Sequence, residues 1–319
     1  VPILGIQIAA IDATLSSRDN SLVELNGYAE SGAGSLNFGG QLSNPFDERR
    51  EFSLQVAGSN FTVADLPDIQ AAISPDIRLQ GNIEGIELSG QLFIPSVDAR
   101  INTLPESAVD VSSDTIIINQ PASGEPVRNA AIADTGLLGN TPVSGEITIT
   151  LGDDVRISGF GLNAQVSGEL DITQRPNATP LTYGELEVVQ GSFETYGRVL
   201  TIEQGKLLFM GSYDNPAIDI RAVRQVENMR VGVQMNGTIQ NIRSDLFSTP
   251  SLSDGDILAV MITGRPMSEI GTEQDGNALV GAATSLGINQ TQGIVTQIQD
   301  QLGLDTLSID SRGDVSDSS

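Results

Sequence analysis

One five-residue unit recurs along this chain: an apolar residue, a small or polar one, glycine, any residue, and a second apolar residue. It reads Leu79-Gln80-Gly81-Asn82-Ile83, Leu88-Ser89-Gly90-Gln91-Leu92, Val143-Ser144-Gly145-Glu146-Ile147, Val166-Ser167-Gly168-Glu169-Leu170, Val189-Gln190-Gly191-Ser192-Phe193 and Met235-Asn236-Gly237-Thr238-Ile239. A looser copy is Leu25-Asn26-Gly27-Tyr28-Ala29. Side chains of a strand alternate between faces, so the two apolar residues and the glycine between them share one side. Flanking residues prolong the pattern, as Ile77 does before Leu79 and as Leu162, Ala164 and Ile172 do around Val166 and Leu170. One face is therefore apolar over long distances, and the other carries Ser, Asn, Gln, Asp and Glu.

A glycine inside a strand forfeits packing, so its recurrence calls for a geometric reason. Glycine kinks and bulges bend sheets, and a glycine on the concave side leaves space there. The plainer alternative, that each glycine marks a turn, conflicts with the apolar residues in phase on both sides. The copies lie 9 residues apart between Gly81 and Gly90 but 23 apart between Gly145 and Gly168. That irregularity disfavours a strict solenoid and suits a curved, mainly antiparallel sheet of hairpins. Turn signals at Asn44-Pro45, Gly152-Asp153-Asp154, Arg175-Pro176-Asn177 and Asp214-Asn215-Pro216 fall between the expected strands.

The expected fold class is all-β: an elongated, curved, open sheet with a short helical segment near the C-terminus. Upstream repeats fill residues 1–80, the main β domain covers 81–250 with a long loop at 119–142, and 251–319 hold helices and a strand. There Ser253 caps a helix with Ile257, Leu258, Met261 and Ile262 on one face. Leu279, Ala283 and Leu286 suggest a second helix, Ile294, Ile298 and Leu302 a third, and residues 306–310 return to strand.

Composition closes off most chemistry. There is no Cys and no His, which removes disulfides, thiolate ligation, the commonest general base and the Ser-His-Asp triad together. Forty-one acidic residues face 16 basic ones, Lys206 being the single lysine, for a formal charge of −25. Such a field repels nucleic acid and anionic headgroup surfaces. No run approaches the roughly 18 apolar residues that span a bilayer. Val1-Pro2-Ile3-Leu4 opens the chain with neither Met nor signal peptide, so it reads as a piece of a longer protein.

The candidates for a site are correspondingly few. Asp153-Asp154 pairs two carboxylates as a glycosidase or a Ca²⁺ site does, but beside Gly152 a hairpin turn explains them. Asp254-Gly255-Asp256 lacks the later ligands of an ion-binding loop and fits a helix start. Gly281, Gly287 and Gly293 form no phosphate loop, and Arg221, Arg224, Arg230 and Arg243 read as solvated outer-face charges. No catalytic residue, metal site or cofactor is expected.

What remains is the apolar face. Its candidate lining is Leu79, Ile83, Leu88, Leu92, Ile147, Ile149, Leu162, Val166, Leu170, Ile172, Leu186, Val188 and Phe193. The bending glycines are Gly81, Gly90, Gly145, Gly168, Gly191 and Gly237. In a closed sandwich that face is core; left open, it suits acyl chains or extended apolar polypeptide.

Residues 183–209 (YGELEVVQGSFETYGRVLTIEQGKLLF), 215–224 (NPAIDIRAVR), 231–254 (VGVQMNGTIQNIRSDLFSTPSLSD) and 257–266 (ILAVMITGRP) resemble the C-terminal domain of the TamB family. LPESAVDVSSD at 104–114 and LGDDVRISGFGLNAQVSGEL at 151–170 fit the same family, in the same order. The resemblance implies a β-taco, a folded-over sheet with an apolar groove. It also implies an envelope protein in the periplasm, attached to the inner membrane by an N-terminal helix absent here, with a TamA-like outer-membrane protein as partner. The implied roles are phospholipid transfer toward the outer membrane and help in assembling outer-membrane β-barrels, with no catalytic residues. The family's domain continues in strands past the position of Asp310, where this chain ends within a few residues.

Overall fold

Alternation of apolar and polar residues over long runs builds strands, and strands occupy most of the chain. The structure, a computed structural model, describes residues 5–18, 21–47, 50–102 and 141–269, with Leu279, Gly281 and Ala282. In chain order the strands are β1 (Ile8–Arg18), β2 (Leu22–Ser31), β3 (Gly34–Ser43), β4 (Glu51–Ser59), β5 (Phe61–Leu66), β6 (Ile69–Asn82) and β7 (Ile86–Ile101). There follow β8 (Val143–Gly159), β9 (Leu162–Gln174), β10 (Leu181–Thr195), β11 (Arg198–Ser212), β12 (Ala217–Val226), β13 (Met229–Thr238) and β14 (Asn241–Thr249). Helix α1 (Asp254–Thr263) and a 3-10 turn at Met267–Glu269 come after them.

The strands pair in one 14-stranded sheet in chain order, except that β6 follows β4 and β5 pairs with β6 alone. The sheet is open and curved, not closed into a barrel. The chain divides into two compact units, Val1–Thr150 with Asp171–Pro180, and Leu151–Leu170 with Leu181–Ser319, and β8 and β9 contribute residues to each.

In the first unit, β4 pairs with the second half of β6 and β5 with its first half. Asn60, at a φ of 50°, separates them, and its N–H donates to Ser74 Oγ at 2.9 Å. Two prolines lie inside long strands, Pro75 in β6 and Pro95 in β7, and both flank the register shift between Ala72 and Ser74. A residue without an N–H fits where the ladder is already interrupted. Phe61 and Ala64 of β5 and Ala29 and Ser31 of β2 are buried, and the Ser31 hydroxyl donates to the Gln7 carbonyl at 3.1 Å.

The main core lies in the second unit. Leu200, Ala222, Val231 and Val233 on the sheet pack with Ile257 through Ile262 of α1 and with Met267, Leu279 and Ala282. Ser253 caps α1, its hydroxyl accepting from the Asp256 N–H at 3.2 Å, and Gly264 ends it in the left-handed conformation. Leu279, Gly281 and Ala282 are helical. Ala283, Leu286, the third expected helix, the strand at 306–310 and nearly all of the loop at 119–142 lie outside the described residues.

Three of the expected turns fall between strands, at Asn44-Pro45, Arg175-Pro176-Asn177 and Asp214-Asn215-Pro216. The fourth does not: Gly152-Asp153-Asp154 lies inside β8, which runs on to Gly159. The inward positions change parity between buried Gly152 and buried Val155, as an extra residue in a strand causes. The actual turn is Phe160-Gly161, both at positive φ, and Tyr196-Gly197 joins β10 to β11 in the same way. Such two-residue turns match the twist of a hairpin, and a large residue at their first position hides them from composition.

The recurrent glycines admit neighbouring backbone. A Cβ on Gly90 would lie 2.1 Å from the Asp76 carbonyl oxygen and one on Gly168 2.2 Å from that of Glu185. Both glycines also have φ near +137° to +138°. Replacing Gly168 with Ala should therefore cost about 2–4 kcal/mol, from backbone strain and overpacking together. Gly197→Ala, where no atom lies within 4 Å, should cost about 1 kcal/mol for the left-handed backbone alone. Urea unfolding followed by circular dichroism measures the difference.

Candidate functional site

Cross-strand registers assemble the apolar residues into rows. In the first unit one row crosses six strands as Leu15, Leu25, Gly40, Leu54, Leu79 and Leu88, each directly opposite the next. Beside it run Val23, Leu42, Phe52, Gly81 and Ile86 on one hand, and Phe38, Val56, Ile77 and Gly90 on the other. Glycines here sit opposite large side chains: the Phe38 ring lies over Gly27, where a Cβ would meet it at 2.5 Å. The next residues along each strand form the opposite face, with Glu24, Gln41, Ser53, Gln80 and Glu87 in one polar row.

The rows are apolar yet not fully covered. Leu25, Leu54, Leu79 and Leu88 are half-buried, and Leu15 on β1 is 70% exposed. Leu92, opposite Pro75, and Ile147, Ile149 and Ile172 on β8 and β9 are likewise half-buried. Ile83 stands apart from the rows, 51% exposed in the bend after β6. There the Asn82 side chain accepts from the N–H groups of Glu84 and Gly85, at 2.8 and 3.2 Å, and turns the chain before Ile83 reaches a strand.

In the second unit, rows cross β10 to β14. Leu186, Leu207, Ile218 and Gly237 are opposite one another, as are Gly191, Ile202, Ala222, Val233 and Leu246. Leu162, Leu170, Leu186, Val188 and Phe193 are half-buried, whereas Val166 is buried. Val188 fills the space beside two glycines, its methyls 2.8 and 2.7 Å from where the Cβ atoms of Gly191 and Gly205 would stand. A Cβ on Gly145 would lie 2.1 Å from the Leu88 carbonyl oxygen, and one on Gly237 2.3 Å from that of Asn241. Gly81 approaches the Gly85 carbonyl comparably, at 2.5 Å.

Arg224 departs from the outer-face reading. It is directly opposite Val231 and two residues from buried Ala222, so it lies on the apolar face. Its Nη1 donates to the carbonyls of Val260 at 3.2 Å and Met261 at 2.5 Å, and Arg198 Nε donates to that of Ile262 at 3.0 Å. Burial, and then the neighbouring Arg198 charge, lower the Arg224 pKa below its ordinary value. The phase of the strand carried this signal, since Arg224 continues the alternation of Ala222. Arg221 points the other way, over the Phe247 ring at 3.9 Å and toward Glu203, which Arg230 also engages.

That outer face also carries further polar and charged pairs. Asp219 accepts from Gln204 and from Gln234, and Lys206 pairs with Glu185 and Glu187. The Glu185 hydrogen bond and charge raise the Lys206 pKa. The Lys206 pairs are about half-exposed, and such contacts contribute little to stability. Among the described residues no cluster of three His, Cys, Asp or Glu could hold a metal ion, and no helix is long and apolar enough to cross a membrane.

Two comparisons bear on this arrangement. A family model described as the TamB C-terminal domain matches residues 26–319. The translocation and assembly module subunit TamB of Haemophilus influenzae (strain ATCC 51907 / DSM 11121 / KW20 / Rd) is 27% identical over 318 residues, covering 97% of this chain. The chain spans 24% of that relative's length.

Covered and uncovered parts of the face should differ in their mutational cost. Leu200→Ala removes a side chain with no exposed surface beneath α1 and should cost about 2–5 kcal/mol. Leu79→Ala, on the half-exposed row, should cost about 1 kcal/mol, because less surface leaves contact. Chemical denaturation of the two variants against the parent chain gives both values.

Proposed function

The chain belongs to the TamB family, and on that premise we propose that it is a non-catalytic stretch of the translocation and assembly module. Its apolar face forms a groove that holds phospholipid acyl chains on their way between the inner and outer membranes. A TamA-like outer-membrane protein is the partner. The setting is the periplasm, with attachment to the inner membrane through an N-terminal helix.

The observation that carries this reading is the incomplete burial of rows made of Leu, Val, Ile and Phe. A Leu left half-exposed forgoes about 1 kcal/mol of transfer free energy. A row of them therefore gains several from an acyl chain, whose own methylenes contribute about 0.8 kcal/mol each on burial. Headgroups stay in water, since a surface of net charge −25 offers phosphate no general attraction.

A second reading draws on the strand order. Among the described residues β1 and β14 each pair on one side only, and such an edge accepts a further strand from an outer-membrane β-barrel client. The chain is then a scaffold for barrel and autotransporter assembly, and the apolar face is secondary to it.

Expression in a Gram-negative host followed by organic extraction of the purified chain should recover phospholipid. The double variant Leu79→Asp/Leu88→Asp should fold, by circular dichroism, and retain at least roughly tenfold less, because the two buried carboxylates together oppose an acyl chain by more than about 1.4 kcal/mol. Parent protein free of phospholipid would end the lipid reading. A double variant that loses lipid yet still supports client assembly would transfer the argument to the strand edges.

A further inference from the structure

Helix α1 lies across the strands. A four-residue link joins it to β14, and its last carbonyls are held by Arg224 of β12 and Arg198 of β11. Ten residues at 1.5 Å each span about 15 Å, which matches three inter-strand spacings of about 4.8 Å, the interval from β14 to β11. An acyl chain that crosses strands would follow the same course.

Beneath the helix Leu200, Ala222, Val231 and Val233 are almost wholly buried, while Leu170, Leu186 and Leu207 on the same unit are half-exposed. The helix has no polar face, since every residue from Ile257 to Ile262 is buried. Its last turn carries no basic residue of its own. The orphan carbonyls of a helix C-terminus favour cations, and here the sheet supplies them. A guanidinium on an apolar face is costly unless hydrogen-bonded, and among the described contacts of Arg224 these carbonyls meet that need.

The geometry points to α1 as a built-in stop: it occupies the β11 to β14 stretch of the apolar face in place of an acyl chain, latched there by Arg198 and Arg224. The inference rests on the acyl-binding reading above and adds where the bound chain must end. In this unit the cargo stops at β10, and release of the latch opens the stretch from β11 to β14.

Two measurements on the full chain test this, comparing the parent with Arg198→Met/Arg224→Met. Hydrogen–deuterium exchange reads the latch without lipid: α1 amides protected in the parent should exchange about tenfold faster or more in the variant, because charge-assisted hydrogen bonds to the carbonyls are lost. Unchanged protection overturns the latch. Photolabelling with phosphatidylethanolamine bearing a diazirine on its acyl chain reads the stop. In the parent, labelled peptides should contain Leu170 and Leu186 and not Val231 or Val233; in the variant, labelling of the latter pair should rise severalfold. Equal labelling of both regions in the parent overturns the stop and leaves the acyl-binding reading standing, whereas no labelling anywhere sinks both.

Discussion

The pairing of residues directly across from one another is the constraint on which the molecule depends. Side chains alternate with a period of two, so a fixed register lines up five leucines and Gly40 across six strands and leaves polar rows on the reverse face. A slip of one residue would exchange the faces of a whole strand. Glycine enters this scheme as a spacer: where strands converge, as at Gly90 against Asp76 and Gly168 against Glu185, a Cβ would collide with a carbonyl. Where an aromatic needs room, as Phe38 does over Gly27, the missing side chain supplies it.

A sheet with one apolar face has to bring that face to something. In the second unit part of the answer is intramolecular, since α1 with Leu279 and Ala282 covers the rows of Leu200 and Val233 and makes a packed core there. Elsewhere the rows stay half-exposed. Because the wholly buried large side chains concentrate around α1, stability should also be concentrated there, with the uncovered strands relying on ladder hydrogen bonds and on edge-to-edge contact of their side chains.

Much of this was legible in the residues. The apolar alternation around the glycines anticipated strands there, and Ser253 with Asp256 marked the helix start. The segments that resemble the TamB family fall within residues 26–319, which the family model matches. What failed did so for definable reasons. Gly152-Asp153-Asp154 has the composition of a turn but lies at a change of phase inside β8, while the true turn uses Phe160, a residue no turn preference selects. Arg224 was assigned to solvent by its charge, although its phase with Ala222 already placed it on the apolar side. Charge alone could not reveal the helix carbonyls that receive it, because they come from residues 36 and 37 positions away. Ile83 fits the five-residue unit, yet Asn82 bends the chain one position too early.

Strand order in this sheet nearly reproduces chain order, and β7 and β8 remain neighbours although residues 102–142 intervene. Each hairpin therefore meets chiefly the hairpins before and after it, so stability is close to a sum over adjacent pairs, as in repeat proteins. Such an object has no obligatory size. Duplicating or deleting a hairpin changes its length without rebuilding a common core, and a large insertion between two strands disturbs only its own junction. Reach along the sheet is thus a property that evolution can adjust in steps of one hairpin.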